Sequence, residues 1–457
     1  MTNPLPTTAV AEQLAAAITA LSADRLPANV RERVEQLLID IVGLCVAARG
    51  TDYMQAMVAG LDAGGPCTAI GHAATFSPTD AALINGTASH GEDFDDTFEG
   101  GPVHSGVVII PAVLAACERF GRDGRAALLG IAVGVETLCR LSMVVPKAIH
   151  KAGFHPTAVL GTLASAAAVA ATLGHTPKQT VDALGIAGSM AGGIIEYLAE
   201  GAWTKRMHPG WAAQAGLQAA RLGGQAFYGP RTVFEGTHGL YNGFAHRADG
   251  DYAALTADYG KRWVMEGITF KPYATGTMNQ PYIECALRLS RRGIRAEDVV
   301  AIECETAEGY VHRLWEPLAS KHKPANAYAA KFSTPFNIAV AMITGGAGLD
   351  AFTEEKAHDP RILALAGKVQ YIVDPNNPYP KAYTGHIKLT LKDGSTVEER
   401  QPHIRGGVEE PLSRADIEAK FRGNAAFGGW DAKRADGFLA FARRAFDGPL
   451  DLATFRS

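Results

Sequence analysis

The sequence predicts a mainly α-helical protein that has a large helical domain and a smaller α+β domain. Over roughly the first 250 residues, apolar side chains recur at helical spacing and small residues are frequent. After about residue 265, short segments alternate between apolar and polar residues, as strands do. At 457 residues, with 47% hydrophobic and 20% charged side chains, the chain is long enough to form two folded domains.

The helical domain begins with a helix predicted over residues 28–48, whose apolar face widens toward its C-terminal end. Further helices are predicted at residues 107–119, 124–144, 156–173 and 178–198. Small residues allow helices to approach closely, so residues 156–193 are expected to form the tightly packed centre. Pro411-Leu412-Ser413 is expected to cap a helix that runs through Phe421 and returns the tail to the helical domain.

The smaller domain is predicted from strands at residues 298–305 and 368–374 and a hairpin at 386–400 that turns at Asp393-Gly394. Helical patterns at residues 279–292 and 327–345 lie among them. The predicted domains are therefore residues 1–265 with 405–457, all helical, and residues 266–404, α+β.

Composition and missing motifs exclude several classes of protein. A net charge of −4 argues against a general nucleic-acid-binding protein. Neither a signal peptide nor a membrane span is predicted, and six scattered cysteines without a C-x-x-C pair fit free thiols in the cytoplasm. Dinucleotide, Walker, zinc-protease and nucleophile-elbow motifs and an iron–sulfur cysteine set are absent. We therefore expect no cofactor and no metal.

The densest polar cluster lies at residues 85–105 and contains Asp93, Asp95, Asp96, Thr97, His90 and His104. One interpretation is a solvated helix end. A second is a magnesium site, because Asp95-Asp96-Thr97-Phe98-Glu99 fits the D-D-x-x-D/E pattern of helical terpenoid synthases. The third is a catalytic loop in which Asp and Thr side chains orient a substrate and His104 transfers protons.

Three basic clusters follow. His155 precedes a small-residue helix and is either a satisfied core histidine or a carboxylate-binding group at a helix start. Lys205, Arg206 and His208 lie together at another predicted helix start, where an anion site is favoured over a surface turn. Lys271 and Tyr273 lie at the predicted domain boundary.

Taken together, these clusters resemble the MmgE/PrpD family, which includes 2-methylcitrate dehydratases, cis-aconitate decarboxylases and iminodisuccinate epimerases. The resemblance runs from about residue 30 to 425 and is carried by N-G-x-x-x-H-x-x-D-F-D-D-T, G-F-H-P, T-K-x-x-H, K-x-Y, A-L-G-I-A-G-S-M-A-G-G, F-E-G-T-H-G-L-Y and a closing P-L-S…K-F. It implies a large helical domain, a smaller α+β domain, an active-site cleft between them and a homodimer.

The resemblance also implies active-site positions: Asp93, Thr97, His104, His155, Lys205, His208 and Lys271. Two positions depart from the family pattern, since Gln280 stands where a histidine is common and Phe336 where a tyrosine is usual. Glu284 likewise replaces a common aspartate.

The predicted function is a cofactor-independent hydro-lyase that abstracts a proton next to a carboxylate of a citrate-like acid. His104 is the predicted general acid/base, oriented by Asp93, and His155 is the second proton-transfer group. Lys205 and Lys271 clamp substrate carboxylates and neutralise the enediolate, and the other predicted binding residues are Thr97, His208, Arg206, Tyr273 and Gln280. The alternatives are an epimerase of the iminodisuccinate type, a decarboxylase of the cis-aconitate type, a magnesium-dependent terpenoid synthase and a non-catalytic binding protein. The expected partner is a small polycarboxylate, with neither nucleic acid nor membrane.

Overall fold

The computed structural model describes residues 7–101 and 103–456. Thr269–Asp416 form one compact unit, and the described residues on either side of it form another. The ends of the predicted helical domain, residues 1–6 and 457, and Pro102 within the predicted catalytic loop lie outside the described residues. Helices dominate and strands are few, which confirms the predicted mainly α class.

The α-helices, in chain order, are α1 Val10–Thr19, α2 Ala28–Ala48, α3 Asp52–Ala59, α4 Pro78–His90, α5 Gly106–Phe120, α6 Gly124–Val144, α7 Ala148–Lys151, α8 Pro156–Leu173, α9 Pro177–Met190, α10 Tyr197–Glu200, α11 Thr204–Gly224, α12 Leu240–Ala245, α13 Tyr252–Thr256, α14 Gln280–Arg291, α15 Glu308–Tyr310, α16 Leu318–His322, α17 Ala327–Ala330, α18 Thr334–Thr344, α19 Glu354–Ala357, α20 Pro360–Ala366, α21 Arg414–Phe427 and α22 Ala432–Ala442. Short 3-10 turns are found at Ala23–Arg25, Val264–Gly267, Thr277–Asn279, Ala296–Asp298, Leu349–Ala351 and Ala453–Phe455, and a π-helical turn at Val311–Trp315.

The strands are β1 Cys67–Thr68, β2 Thr75–Phe76, β3 Thr97–Phe98, β4 Ile268–Thr269, β5 Val299–Thr306, β6 Val369–Val373, β7 Gly385–Leu391 and β8 Thr396–Gln401. In the second unit, β6, β5, β7 and β8 form one sheet in that order. β5 and β6 are parallel, whereas β5 with β7 and β7 with β8 are antiparallel. The predicted strands and the hairpin at Asp393-Gly394 are therefore confirmed.

Two predicted helices differ from the helices in the structure: one ends early, and the other is divided in two. The helix predicted over residues 178–198 stops at Met190, because the chain turns at Gly193, which has a φ of 124°. The Gly193 carbonyl then accepts a hydrogen bond from the His155 amide at 2.8 Å. The helix predicted over 327–345 is two helices, α17 and α18, because Ser333 caps the second with its hydroxyl and Pro335 lies in its first turn.

Helix α8 forms the centre of the first unit, as predicted for this small-residue region. Its residues 156–170 are all buried, and α8 packs against α5, α6, α9 and α11. Helix α11 also packs along α4. The end of α4 and the starts of α8 and α11 meet in one part of the unit, where Lys205 lies against Asp93 and His208 against His155.

The close approach of α4 and α11 depends on two facing glycines. A methyl group added at Gly86 would lie 2.5 Å from the Gly210 Cα atom, and one added at Gly210 would lie 2.2 Å from the Leu83 carbonyl oxygen. Both obstacles are backbone atoms, which cannot rotate away as a side chain can. Only glycine at both positions therefore allows these two helices to pack at this distance.

In the second unit, α14 packs across β7 and β8 on one side and against α18 on the other. The Arg288 side chain of α14 joins the helix to β8: it donates hydrogen bonds to Glu399 at 3.0 Å and Gln401 at 2.6 Å. The apolar centre of this unit includes Phe336, which is fully buried.

Two helices, α6 and α8, are long and apolar enough to cross a membrane by length and composition alone. In both, 89% of the most apolar window is buried inside the structure. Their apolar character is thus accounted for by packing in the core of the first unit.

We predict that Gly86→Ala lowers the free energy of unfolding by about 1–3 kcal/mol, because overpacking against backbone forces α4 and α11 apart. Gly437→Ala is the matched control: Gly437 lies inside α22, and an added methyl group would meet nothing within 4 Å. This control is expected to be neutral or to stabilise by up to ~1 kcal/mol. Urea unfolding of both variants is the measurement, and equal effects would contradict the packing explanation.

Candidate active site

The site in the first unit begins where α4 ends. His90 is the last residue of α4, and the chain reverses at Asp93, whose φ of 56° lies in the left-handed region. Aspartate tolerates this conformation better than most side chains do. The reversal brings residues 93–97 back beside the end of α4, so that the acidic residues lie inside the unit.

Asp95 is the centre of this segment. One of its carboxylate oxygens, Oδ2, lies 3.0 Å from Nδ1 of His90 and 2.9 Å from Nδ1 of His104. Asp95 is fully buried, and its other oxygen has no hydrogen-bond partner among the described residues. Burial by itself raises the pKa of this carboxyl group, but the two histidines outweigh that effect and hold the pKa well below its usual range.

Asp96 organises the other end of the loop. Its carboxylate accepts hydrogen bonds from the Ser105 amide at 2.9 Å, the Ser105 hydroxyl at 2.8 Å and the Gly106 amide at 2.9 Å. These donors lie at the start of α5, where backbone amides lack helical partners. The Asp96 carbonyl oxygen lies 2.7 Å from Nδ1 of His104, so His104 is held from two sides.

These contacts decide between two interpretations of the acidic cluster. A solvated helix end is wrong, because both Asp95 and Asp96 are fully buried. The terpenoid-synthase type of magnesium site is also wrong for this pair, since Asp95 and Asp96 accept hydrogen bonds inside the unit. The loop instead serves to fix the position of His104.

A second pair of histidines lies next to the first. Nδ1 of His155, at the start of α8, is 3.1 Å from Nδ1 of His208 on α11. The rings of His90 and His155 stack with their centres 6.0 Å apart, and Tyr197 packs edge-on against both His155 and His208. His90, His155 and His208 are each at most 5% exposed.

Burial determines the charge of these histidines. It is the largest cause that lowers the pKa of His90 to about 4, in spite of the Asp95 carboxylate, and the pKa of His208 to about 4. Burial also holds the pKa of His155 well below its usual range, and the nearby histidines and Lys205 oppose a positive charge on it. All three imidazoles are therefore neutral at neutral pH.

Two cations on α11 face acidic residues of the same loop. Nζ of Lys205 lies 3.1 Å from Oδ1 of Asp93. Arg206 lies 3.6 Å from the Glu92 carboxylate and over the Tyr53 ring at 4.3 Å. Both predicted cations are thus paired within the first unit, Lys205 with a predicted site residue and Arg206 with a surface-facing carboxylate and an aromatic ring.

Thr97 and Lys420 complete the surroundings of the loop. The Thr97 hydroxyl oxygen is buried and has no hydrogen-bond partner among the described residues. Lys420, from α21, donates to the Phe94 carbonyl oxygen at 2.7 Å and lies 2.7 Å from the Asp40 carboxylate in the middle of α2. Helix α21 therefore anchors the loop at Phe94, between Asp93 and Asp95.

The remaining predicted residues belong to the second unit. Lys271 is almost completely buried there. The Tyr273 hydroxyl donates to the Glu284 carboxylate, which also lies 3.5 Å from Arg405. Lys271 and Tyr273 lie in the segment that joins β4 to α14.

Gln280 is a structural residue in this geometry and not the substrate-binding residue that the sequence predicts. Its amide nitrogen donates to the carbonyl oxygens of Tyr273 and Thr275, both at 3.0 Å, and its oxygen accepts from the Tyr273 amide at 3.2 Å. With these bonds the side chain holds the segment that contains Tyr273. Phe336 packs in the core beside Phe352 and presents no polar group.

The sequence reasoning missed several residues of the site. His90 and Asp95 were named only as members of a cluster, and no role was predicted for Tyr197, Asp40 or Lys420. Asp40 carries a readable signal, because a single carboxylate inside the apolar run L-L-I-D-I-V requires a buried partner. No local signal identifies Lys420 as that partner, since it lies 380 positions farther along the chain.

His90, Asp95 and His104 are also the residues that could hold a metal ion, since their ligand atoms lie within 4.8 Å of one another. The hydrogen bonding argues against this. Nδ1 of His104 lies 2.7 Å from a carbonyl oxygen, which can only accept, so this nitrogen carries a hydrogen. A ring nitrogen that carries a hydrogen has no lone pair for a metal.

Models of two family domains match this chain: the MmgE/PrpD N-terminal domain over residues 12–253 and the MmgE/PrpD C-terminal domain over residues 273–437. A cis-aconitate decarboxylase of Homo sapiens is 28% identical over 91% of this chain and 88% of its own length. One of Aspergillus terreus is 28% identical over 88% of this chain and 86% of its own length. A mitochondrial 2-methylcitrate dehydratase of Yarrowia lipolytica is 26% identical over 53% of this chain and 48% of its own length.

We predict that the buried histidines make the fold less stable in weak acid. Their pKa values are lower in the folded chain than the usual value near 6.5, so the unfolded chain binds more protons below that pH. Stability is fully present above about pH 6.5 and is lost as the pH falls toward 4, by up to about 1.4 kcal/mol per pH unit for each histidine. In His208→Gln the free energy of unfolding in urea should therefore fall less between pH 7 and pH 5 than in the wild type. If the free energy of unfolding falls by the same amount between pH 7 and pH 5 in both proteins, His208 is not a neutral group in the folded chain.

Proposed function

The chain belongs to the MmgE/PrpD family, and from this membership we propose that it is a lyase that abstracts a proton next to a carboxylate of a small citrate-like acid. The observation that carries the proposal is the position of His104. It is held by two acceptors on one ring nitrogen, next to a neutral pair of buried histidines and the cation of Lys205. This combination suits proton transfer on an anionic substrate.

The weak acidity of the substrate carbon defines what the site must do. A proton next to a carboxylate leaves only if the enediolate charge is neutralised as it forms. Lys205 supplies a cation that is mostly shielded from water, with a side chain 18% exposed, and a substrate carboxylate competes with Asp93 for it. We further propose that the Thr97 hydroxyl, which is buried without a hydrogen-bond partner among the described residues, donates to the same anion.

His104 is the proposed general base, and His155 is the proposed second proton-transfer group. His104 is partly exposed, with 13% of its side chain accessible, whereas His155 is buried against His208. Because one of the two close Nδ1 atoms must donate and the other accept, the tautomer of His155 depends on that of His208. His208 therefore acts through His155.

Dehydration is the leading reaction, and decarboxylation is the second candidate. The match to this chain covers 86–88% of the two cis-aconitate decarboxylases and 48% of the 2-methylcitrate dehydratase of Yarrowia lipolytica. In a dehydration the base removes a carbon-bound proton and hydroxide leaves; in a decarboxylation the carbanion left by carbon dioxide takes a proton. Both reactions use the same imidazole and the same cation. The imidazole takes up a proton in the dehydration and delivers one in the decarboxylation. Epimerisation of the iminodisuccinate type remains the third candidate.

We also propose that the reaction needs no metal or cofactor and that the chain works in the cytoplasm as a homodimer. Metal independence is supported by the hydrogen on Nδ1 of His104, which removes the nitrogen that faces Asp95 as a metal ligand. A reducing compartment is supported by the six cysteines, all buried and free. Neither a nucleic acid nor a membrane is a proposed partner.

The test is turnover of 2-methylcitrate, citrate, cis-aconitate and iminodisuccinate in deuterated water, followed by NMR. Loss of water or of carbon dioxide from one of these acids, at a rate that EDTA leaves unchanged, is the expected result. Deuterium incorporation with no net product would favour the epimerase. An activity that EDTA abolishes and a divalent metal restores would overturn the metal-free proposal.

Lys205→Ala is predicted to lower kcat/KM by at least about 100-fold. Removal of one partner of a buried, hydrogen-bonded charge pair costs roughly 2–5 kcal/mol. Lys178→Ala is the matched control, because Lys178 also pairs with an aspartate, Asp182, on α9 and outside the site. The steady-state kinetics of both variants decide the matter: a folded Lys205→Ala enzyme with the kinetics of the control would make this cation structural.

A further inference from the structure

We propose that Asp95 is a positioning residue for His104: together with the Asp96 carbonyl it orients the ring with the hydrogen on Nδ1, so that Nε2 is the ring atom that exchanges a proton with the substrate. The proposal rests on the proposed lyase function for its chemical meaning. The observation is the position of one carboxylate oxygen, Oδ2 of Asp95, within hydrogen-bond distance of Nδ1 of both His90 and His104.

The first step is the hydrogen on His104. Nδ1 of His104 lies between two oxygens, Oδ2 of Asp95 at 2.9 Å and the Asp96 carbonyl at 2.7 Å. A carbonyl accepts only, and so does an ionised carboxylate. The nitrogen must therefore carry the hydrogen, which the Asp96 carbonyl accepts, and the Asp95 carboxylate lies beside it. In the neutral ring, the lone pair that can take up a proton is then on Nε2.

The second step is the role of His90. It also places Nδ1 against Oδ2 of Asp95, at 3.0 Å, and its Nε2 is buried with no hydrogen-bond partner among the described residues. Since burial keeps this imidazole neutral, it donates a hydrogen bond to Asp95 without cancelling the carboxylate charge. His90 thus orients Asp95, and the Asp95 carboxylate remains ionised beside His104.

The third step is the reaction itself. The carbon–hydrogen bond of the substrate breaks, its electron pair enters the enediolate, and the proton forms a new bond to Nε2 of His104. The imidazolium that results lies beside the Asp95 carboxylate, which stabilises it and stays unprotonated. Return of this proton, or its delivery to a carbanion, reverses the same transfer. An aspartate that orients a histidine in this way is a general arrangement in acid–base catalysis.

The tautomer can be measured directly by ¹⁵N NMR of histidine side chains near pH 8, with the His104 signals assigned by their loss in His104→Gln. The expected result is a hydrogen-bearing Nδ1 and an unprotonated Nε2. A hydrogen on Nε2 would overturn the proposal. So would a direct shift of the Nδ1 signal on addition of Zn²⁺ alone, since Nδ1 would then be a metal ligand.

The kinetic test is Asp95→Asn, which removes the carboxylate charge beside His104 while the Asp96 carbonyl still accepts from Nδ1. We expect kcat to fall by about 10²–10⁴-fold while KM changes less than ~3-fold. Asp182→Asn is the matched control: Asp182 is also buried, on α9, and pairs with Lys178 outside the site, so kcat should be unchanged.

The outcomes are separable from those of the proposed function. If no polycarboxylate is turned over but the ¹⁵N signals of the His104 ring change in Asp95→Asn, the lyase function fails and the positioning of His104 by Asp95 stands. If Asp95→Asn keeps its kcat and the wild-type His104 carries its hydrogen on Nδ1, Asp95 has no positioning role. If Asp95→Asn does not fold, a hydrogen on Nε2 of the wild-type His104 still overturns the proposal.

Discussion

The local structure of the site depends on one buried carboxylate, that of Asp95. Burial of an ionised carboxyl group in a protein interior costs several kcal/mol unless hydrogen bonds replace its water. Here two imidazole donors replace it on a single oxygen. Those nitrogens belong to His90, the last residue of α4, and to His104, two residues before α5, so one buried charge constrains the positions of both helices. Asp96 and Lys420 then tie the same loop to α5 and α21.

The helices around this loop are positioned by small side chains. Gly86 and Gly210 allow α4 and α11 to approach until backbone meets backbone. That approach places Lys205 of α11 against Asp93 and His208 against His155. A larger residue at either glycine would move the cation and the histidine away from the loop. The Ala- and Gly-rich composition of the first unit is thus part of how the site is assembled.

The electrostatics of the site favour an anionic ligand. Three imidazoles are neutral because water is excluded, and the ionised Asp95 is already engaged by hydrogen-bond donors. The Lys205 ammonium lies 3.1 Å from the Asp93 carboxylate, and its side chain is mostly shielded from solvent. In such surroundings a cation interacts more strongly with a developing negative charge than it does in water. A dehydration and a decarboxylation both pass through that charge, which explains how one family supports both.

The sequence by itself determined the fold class, most helices and strands, and the identity of most polar residues of the site, because these follow from local periodicity and from short motifs. His104, His155, Lys205 and His208 were all predicted from such patterns. Only the tertiary structure decided what these residues do to one another. His90 and His104 share Asp95 because the chain reverses at Asp93, and Gln280 is occupied by the backbone of Tyr273 and Thr275. The pairing of Asp40 with Lys420 joins positions far apart in the chain. Burial and hydrogen-bond partners are set by long-range packing, and no local pattern in the chain specifies them.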